Sequence, residues 1–179
     1  MATTKTEATV EDLYNAPDDG NYELVNGKLV RIPPTGFGPG RISVRICRGL
    51  EQSEEETQSG YAIPDGVAFI VNLPNRRSFG PDAAFTRVAP ENVERFADGA
   101  PIFAVEVRSE HDHGPGMDRA YAEKRADYFA AGTEVVWDVN PRTQTIASYH
   151  RDQPDTPIVF KRGEIAHAEP ALPGWQILR

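Results

Sequence analysis

Ile102-Phe103-Ala104-Val105-Glu106-Val107-Arg108-Ser109 is followed by a helical pattern over 117–131 and by the β-branched run Glu134-Val135-Val136-Trp137-Asp138-Val139. Side chains alternate along a strand, so Phe103, Val105 and Val107 line one face of the first run, while Ile102, Ala104, Glu106 and Arg108 line the other. Gly132 stands where a helix ends in the left-handed conformation, and Asn140-Pro141 closes the second run. Strand, helix and strand in this order place a layer of helix against a sheet.

The same alternation of elements extends outward. Asn26-Gly27 lies between Tyr22–Val25 and Lys28–Ile32 and supplies the two positive φ angles of a type I′ turn, which predicts an N-terminal hairpin. Before it, Thr9 caps a short helix with Asp12 three residues on. After a Pro- and Gly-rich loop over 33–40, residues 41–58 carry Ile42, Ile46, Gly49 and Leu50 at helical spacing. Strands are expected over 61–63, 67–72 and 82–87, a hairpin from 145–150 to 158–161, and a terminal strand. The sum is an α/β or α+β domain, a mixed β-sheet flanked by helices with an N-terminal hairpin. Residues 1–10 are expected to be loosely held and 11–179 to form one domain.

Composition narrows the function. The 179 residues include 39 % hydrophobic and 26 % charged residues with a net charge of −8, which excludes wholesale disorder and gives no broad basic footprint for nucleic acid. Runs such as 67–71 and 102–107 are far shorter than the roughly 20 residues of a membrane helix. One cysteine, Cys47, and an N-terminus without an apolar segment point to a reducing cytoplasm. Cys47 has no His or Asn signature beside it and is a poor candidate nucleophile. Gly36-Phe37-Gly38-Pro39-Gly40 lacks the Lys-Ser/Thr of a phosphate loop.

Chemistry concentrates at Asp82, Glu106 and Lys124. Glu106 interrupts an apolar strand; either Arg108 neutralises it, or the face is solvated, or it requires a cation from elsewhere. Lys124 shares a helical stripe with Tyr121 and Tyr128, away from Glu123 and Asp127. It either snorkels to solvent or reaches the carboxylates of the preceding strand. Asp82 after Pro81 reads as a turn residue or as a ligand. Together they offer hard oxygen donors and an adjacent cation, the requirements of a divalent-ion site. Glu23 completes the acidic group or is an exposed hairpin glutamate. His111 and His113 flank Asp112 in a Gly-rich loop, but two histidines two residues apart do not by themselves make a zinc site.

Tyr22–Gly27, Arg41-Ile42-Ser43, Pro81–Phe85, Phe103–Ser109, Lys124–Tyr128 with Ala131-Gly132, and Val136–Pro141 resemble, in order and spacing, the Uma family of bacterial restriction-endonuclease-like proteins of the PD-(D/E)XK nuclease superfamily. The resemblance runs from about residue 10 to residue 178. It implies a restriction-endonuclease-like core with a metal site on the central strands: Pro81-Asp82 as the PD element, Glu106 as the second acid, Lys124 as a lysine moved from strand to helix, and Glu23 as an early glutamate. The superfamily pattern would put the lysine at Arg108; Lys124 is preferred because lysine gives up its proton more readily than arginine. Two departures stand out. Pro39-Gly40-Arg41 lacks a histidine common before the helix, and Ser109-Glu110 replaces Ser-Pro.

The expected function is Mg2+- or Mn2+-dependent hydrolysis of DNA phosphodiester bonds. Asp82, Glu106 and the Val107 carbonyl would hold the ion, Lys124 would place or activate water, and Glu23 would bind a second ion or a water. A homodimer would suit cutting both strands. The alternative is a catalytically inactive nuclease-like fold that serves as a protein-interaction or oligomerisation module, as the −8 charge suggests. A nuclease would need basic residues, Arg41, Arg45, Arg48, Arg76, Arg77, Arg119 and Arg125 among them, gathered around one cleft; Arg41, Arg45 and Arg48 recur at helical spacing.

Overall fold

The computed structural model describes residues 7–178; most of the N-terminal stretch expected to be loosely held, residues 1–6, lies outside them. Thr9 caps α1 (Val10–Tyr14) through a reciprocal pair, its N–H donating to Asp12 at 2.7 Å and its hydroxyl accepting from the Asp12 N–H at 3.2 Å. β1 (Asn21–Val25) and β2 (Lys28–Ile32) form the hairpin, with φ +50° at Asn26 and +65° at Gly27 as a type I′ turn requires. The Ala8 N–H donates to the Gly27 carbonyl at 2.8 Å.

α2 (Phe37–Thr57) starts four residues before the expected position. Pro39 lies in its first turn, where a missing N–H leaves no intrahelical bond unmade, and the Gly40 N–H already bonds to the Gly36 carbonyl at 3.0 Å. Residues that read as a loop are therefore the helix's opening turn. β3 (Tyr61–Pro64) follows, and then the chain departs again from expectation. The strand expected over 67–72 is cut to β4 (Phe69–Ile70), which pairs with β5 (Ser78–Phe79) and β7 (Ala97–Asp98) in a separate three-stranded sheet. The chain reverses around Pro74, with Val71 N–H bonded to Arg77 and Leu73 N–H to Arg76.

β6 (Ala83–Thr86) and β8 (Phe103–Val107) enter the main sheet, α3 (Pro115–Ala131) crosses over it, and β9 (Val135–Asn140) returns parallel to β8. β10 (Thr145–His150) and β11 (Gln153–Lys161) complete the order β11-β10-β9-β8-β6-β3, in which β8 and β9 are the parallel pair. β11 begins five residues earlier than expected because its prolines sit on an edge strand, where a donor can be missing. β12 (Ile165–His167) and β13 (Gln176–Leu178) form a last hairpin. The result is a mixed sheet with helices on its faces. No helix among the described residues is long and apolar enough to cross a membrane.

The strand alternation of β8 divides the core. Phe103, Val105 and Val107 pack with Val135, Trp137, Val139 and Trp175 against Ile46, Cys47 and Leu50 of α2. Ala104 faces the opposite side, where Val136, Ala84, Phe69, Phe79 and Tyr128 form a second cluster. Gly60 allows β3 to lie against β6: a Cβ there would collide with the Thr86 carbonyl oxygen and meet the Phe85 ring at 2.6 Å. Gly60→Ala is expected to destabilise the fold by about 2 kcal/mol, measured as a lowered midpoint in thermal unfolding; an unchanged midpoint would show that the β3 edge yields freely.

Candidate active site

The α3-facing side of the sheet carries a buried ionic cluster drawn from four elements. β8 supplies Glu106, α3 supplies Lys124 and Tyr128, the first hairpin supplies Glu23, and the residue ahead of β6 is Asp82. Lys124 Nζ lies 2.8 Å from Glu106 Oε1 and 2.8 Å from Glu23 Oε1. The Tyr128 hydroxyl donates to Glu106 Oε1 at 2.8 Å, and its ring stacks on Phe79 at 3.9 Å. Glu106 therefore has its cation from the following helix, and Lys124 turns inward. Glu23 is buried as well, which removes the reading of an exposed hairpin glutamate.

Arg108 does not neutralise Glu106. Its Nε and Nη2 donate to Asp138 at 2.8 and 2.7 Å, Nη1 donates to Asp118 at 2.5 Å, and its guanidinium lies over Tyr121 at 4.5 Å. This fork ties β8 to β9 and to the start of α3. One candidate cation thus braces the scaffold while the other enters the acidic cluster.

Asp82 is held by its backbone and one oxygen. Its N–H donates to the Val105 carbonyl at 3.0 Å, and its Oδ2 accepts from the Val107 N–H at 2.6 Å. The Ser43 hydroxyl of α2 donates to the Asp82 carbonyl at 2.5 Å. Oδ1 accepts no hydrogen bond from the described residues.

The electrostatics separate these groups. Burial, reinforced by the charge of Glu106, pushes the Asp82 carboxyl up to about 7. Burial also raises Glu106, against the pull of Lys124. Glu23 is as deeply buried, yet Lys124 and Arg76 outweigh the desolvation and hold it below the usual carboxylate range. Burial disfavours the charge on Lys124, but Glu106 and Glu23 outweigh it and keep the ammonium above its ordinary value. Lys124 is a protonated cation at neutral pH. That differs from the ready proton loss for which sequence reasoning preferred it over Arg108.

The pattern of the sequence missed Arg76 and Asp127. Arg76, a candidate for the nucleic-acid cleft, is only 7 % exposed. It donates from Nη1 to Glu23 Oε2 at 2.6 Å and from Nε to Asp127 Oδ2 at 2.9 Å, and lies over Phe79 at 4.9 Å. Asp127, expected on the polar face of α3, is half-buried against it. The signal was present only as an Arg-Arg pair in a Pro-bounded turn. Arg77 is bound to the Val71 carbonyl at 3.2 Å, and Arg125 lies over Tyr149 at 3.5 Å. Arg41, Arg45, Arg48 and Arg119 are exposed. Residues 108–114, with His111 and His113, connect β8 to α3; no three His, Cys, Asp or Glu among the described residues converge as a ready-made metal cage.

The donor set nevertheless suits a hard divalent cation that keeps several waters. Asp82 and Glu106 are carboxylates on neighbouring strands, one raised by the charge of the other and retaining an oxygen without a protein donor.

A family model described as "Putative restriction endonuclease", Uma2, matches residues 8–179. The chain belongs to the Uma2 family. The same architecture occurs in a crystal structure described as "a putative nuclease belonging to DUF820", from Anabaena variabilis ATCC 29413. The two chains share 16 % identity with a TM-score of 0.73, over 92 % of this chain and 90 % of that one. At that identity the likeness concerns the fold, which both chains carry over nearly their whole length. No curated protein matches the sequence. The Uma2 resemblance read from the short motifs holds, and the mixed-sheet core expected from it is the one observed.

Proposed function

We propose that this Uma2 protein is a divalent-metal-dependent endonuclease that hydrolyses DNA phosphodiester bonds at the Asp82, Glu106 and Lys124 cluster. The observation that carries the reading is a buried ammonium 2.8 Å from Glu106, beside a second carboxylate that keeps a free oxygen. Bound Mg2+ or Mn2+ would supply an acidified water and stabilise the charge that develops on phosphate. Asp82, Glu106 and the Val107 carbonyl are the residues that would hold the ion.

The remaining roles belong to the chain. Lys124 presents a fixed positive charge to a phosphoryl oxygen or to the attacking water. Glu23 has its oxygens engaged by Lys124, Arg76 and the Gly80 N–H; we assign it to positioning Lys124 in preference to binding a second ion. Arg76 positions Glu23 in turn. A two-fold dimer suits a reaction on both strands of a duplex.

The test is calorimetric titration of Mg2+ and Mn2+ into the parent protein and Asp82→Ala, followed by plasmid nicking with the same samples. Both binding and nicking are expected to be lost in the variant, nicking by at least about 100-fold. A parent protein that binds neither ion at millimolar concentration and leaves every plasmid form intact would overturn the reading in favour of an inactive nuclease-like interaction module.

A further inference from the structure

The outward face of α2 carries a row of charge that the site itself does not use. Arg41, Arg45 and Arg48 are exposed, and among the described residues none of them forms an ion pair. In a chain with 27 acidic and 19 basic residues, three guanidinium groups without an ion pair on one helix face are a local reversal of sign, bounded by Glu51 in the groove beside Arg48. Phe37 stands at the head of the row, 84 % exposed, with the Arg41 guanidinium 5.8 Å from its ring. Val44, 52 % exposed, lies among the arginines. The first turn holds no acidic residue, so the positive end of the helix is left uncompensated. A Cβ on Gly38 would meet nothing within 4 Å, so the backbone there is open to close approach.

The helix that carries this face meets the candidate site from the other side of the sheet. Ser43, on the buried side of the same helix segment, donates to the Asp82 carbonyl at 2.5 Å. Thr35, just ahead of the helix, bonds to Ser109, two residues past Val107, at 3.1 Å. Two shallow grooves meet along the helix at Gly40, Val44 and Arg48, and one of them reaches Asp65, whose charge acts on Asp82.

We propose that Arg41, Arg45 and Arg48 form the track on which the sugar-phosphate backbone of duplex DNA is held, with Phe37 as an apolar contact at its end. The inference rests on the nuclease reading and names the element that would grip its substrate. From Arg41 to Arg48 the helix rises about 10 Å, close to three steps of the roughly 3.4 Å rise per nucleotide of one strand. Those three steps carry four phosphates of one strand, so each of the three guanidinium groups has a phosphate within its reach, which arginine engages through its planar fork. Charge complementarity favours this polyanion over a second copy of an acidic chain.

The test measures binding of a fluorescent duplex of about 20 base pairs across a salt series, for the parent, for Arg41→Gln/Arg45→Gln/Arg48→Gln, and for the control Lys161→Gln/Arg162→Gln at the exposed end of β11. Removing three phosphate contacts is expected to lower the slope of log affinity against log salt by about 2 to 3 and to weaken binding more than about 100-fold at low salt. The control should follow the parent. Mg2+ titration of the triple variant should match the parent, so that failure of the metal site and failure of the track are told apart. An unchanged slope in the triple variant overturns the track even if metal binding and nicking stand. A parent that binds no duplex, or a variant whose oligomeric state changes while its DNA affinity does not, overturns it as well, the latter assigning the face to contact between copies.

Discussion

Lys124→Met is expected to destabilise the protein by about 3–5 kcal/mol at pH 7, because it strips the shared cation from two buried carboxylates. Glu106 and Glu23 each lie 2.8 Å from Nζ. Glu23 retains Arg76, whereas Glu106 keeps only the Tyr128 hydroxyl. The larger part of the loss should therefore come from Glu106. Urea unfolding of Lys124→Met, Glu106→Gln and the double variant forms the cycle that isolates it. The double variant should recover more than about 1 kcal/mol relative to the summed single losses. Lys124→Arg should restore stability only in part and leave nicking impaired, since a planar fork does not fill the place of a compact ammonium. If Lys124→Met unfolds within about 0.5 kcal/mol of the parent, the ammonium does not neutralise this cluster and its placement beside Glu106 loses its significance.

Asp82→Asn should act in opposite directions on stability and on activity. In the metal-free protein the Asp82 carboxyl is pushed up to about 7, above its unfolded value near 4. A raised acid binds its proton more tightly when folded. Its stabilising contribution is thus complete below about pH 4 and is lost as the pH rises from there through about 7. Asparagine carries no such charge. The variant should match the parent at acid pH and exceed it by on the order of 1–2 kcal/mol at pH 8 in the presence of chelator, a figure set well below the full linkage value because solvent reaches the carboxylate. Saturating Mg2+ should stabilise the parent and leave the variant unmoved, while nicking by the variant is lost. The idea fails if the difference between the two proteins is independent of pH and of Mg2+.

The sequence made some features legible through local chemistry. Asn26-Gly27 announced its turn because few residues tolerate two positive φ angles, and Thr9 with Asp12 announced a helix start because both donors can be satisfied within four residues. The alternation of β8 was legible because one charged residue among apolar ones marks a face. What stayed hidden depends on partners distant along the chain. Arg76 meets Glu23 across 53 residues and Asp127 across 51, and no periodicity encodes such a meeting. Asp127 was misassigned because a helix that turns charge towards a charged partner looks, in sequence, like one that turns it towards water. The opening turn of α2 was misread for a different reason. Gly and Pro lower helix propensity in general, but in a first turn proline lacks only a donor that would have had no acceptor.

β11 is the outer strand of the main sheet, and its Pro154 and Pro157 are three residues apart. Both lie in the stretch 154–157, which faces Tyr149 alone where the register with β10 shifts between Ser148 and His150, so the outer strand is broken by a bulge as well as by two missing donors. At the far edge, β3 is four residues long and ends in Pro64. Neither margin offers a long uninterrupted ladder of donors on which another chain could template. Protection against strand-to-strand aggregation therefore lies in three prolines and a break in register, and replacing the prolines of β11 to stiffen or lengthen the strand would open that margin to fibrillar growth.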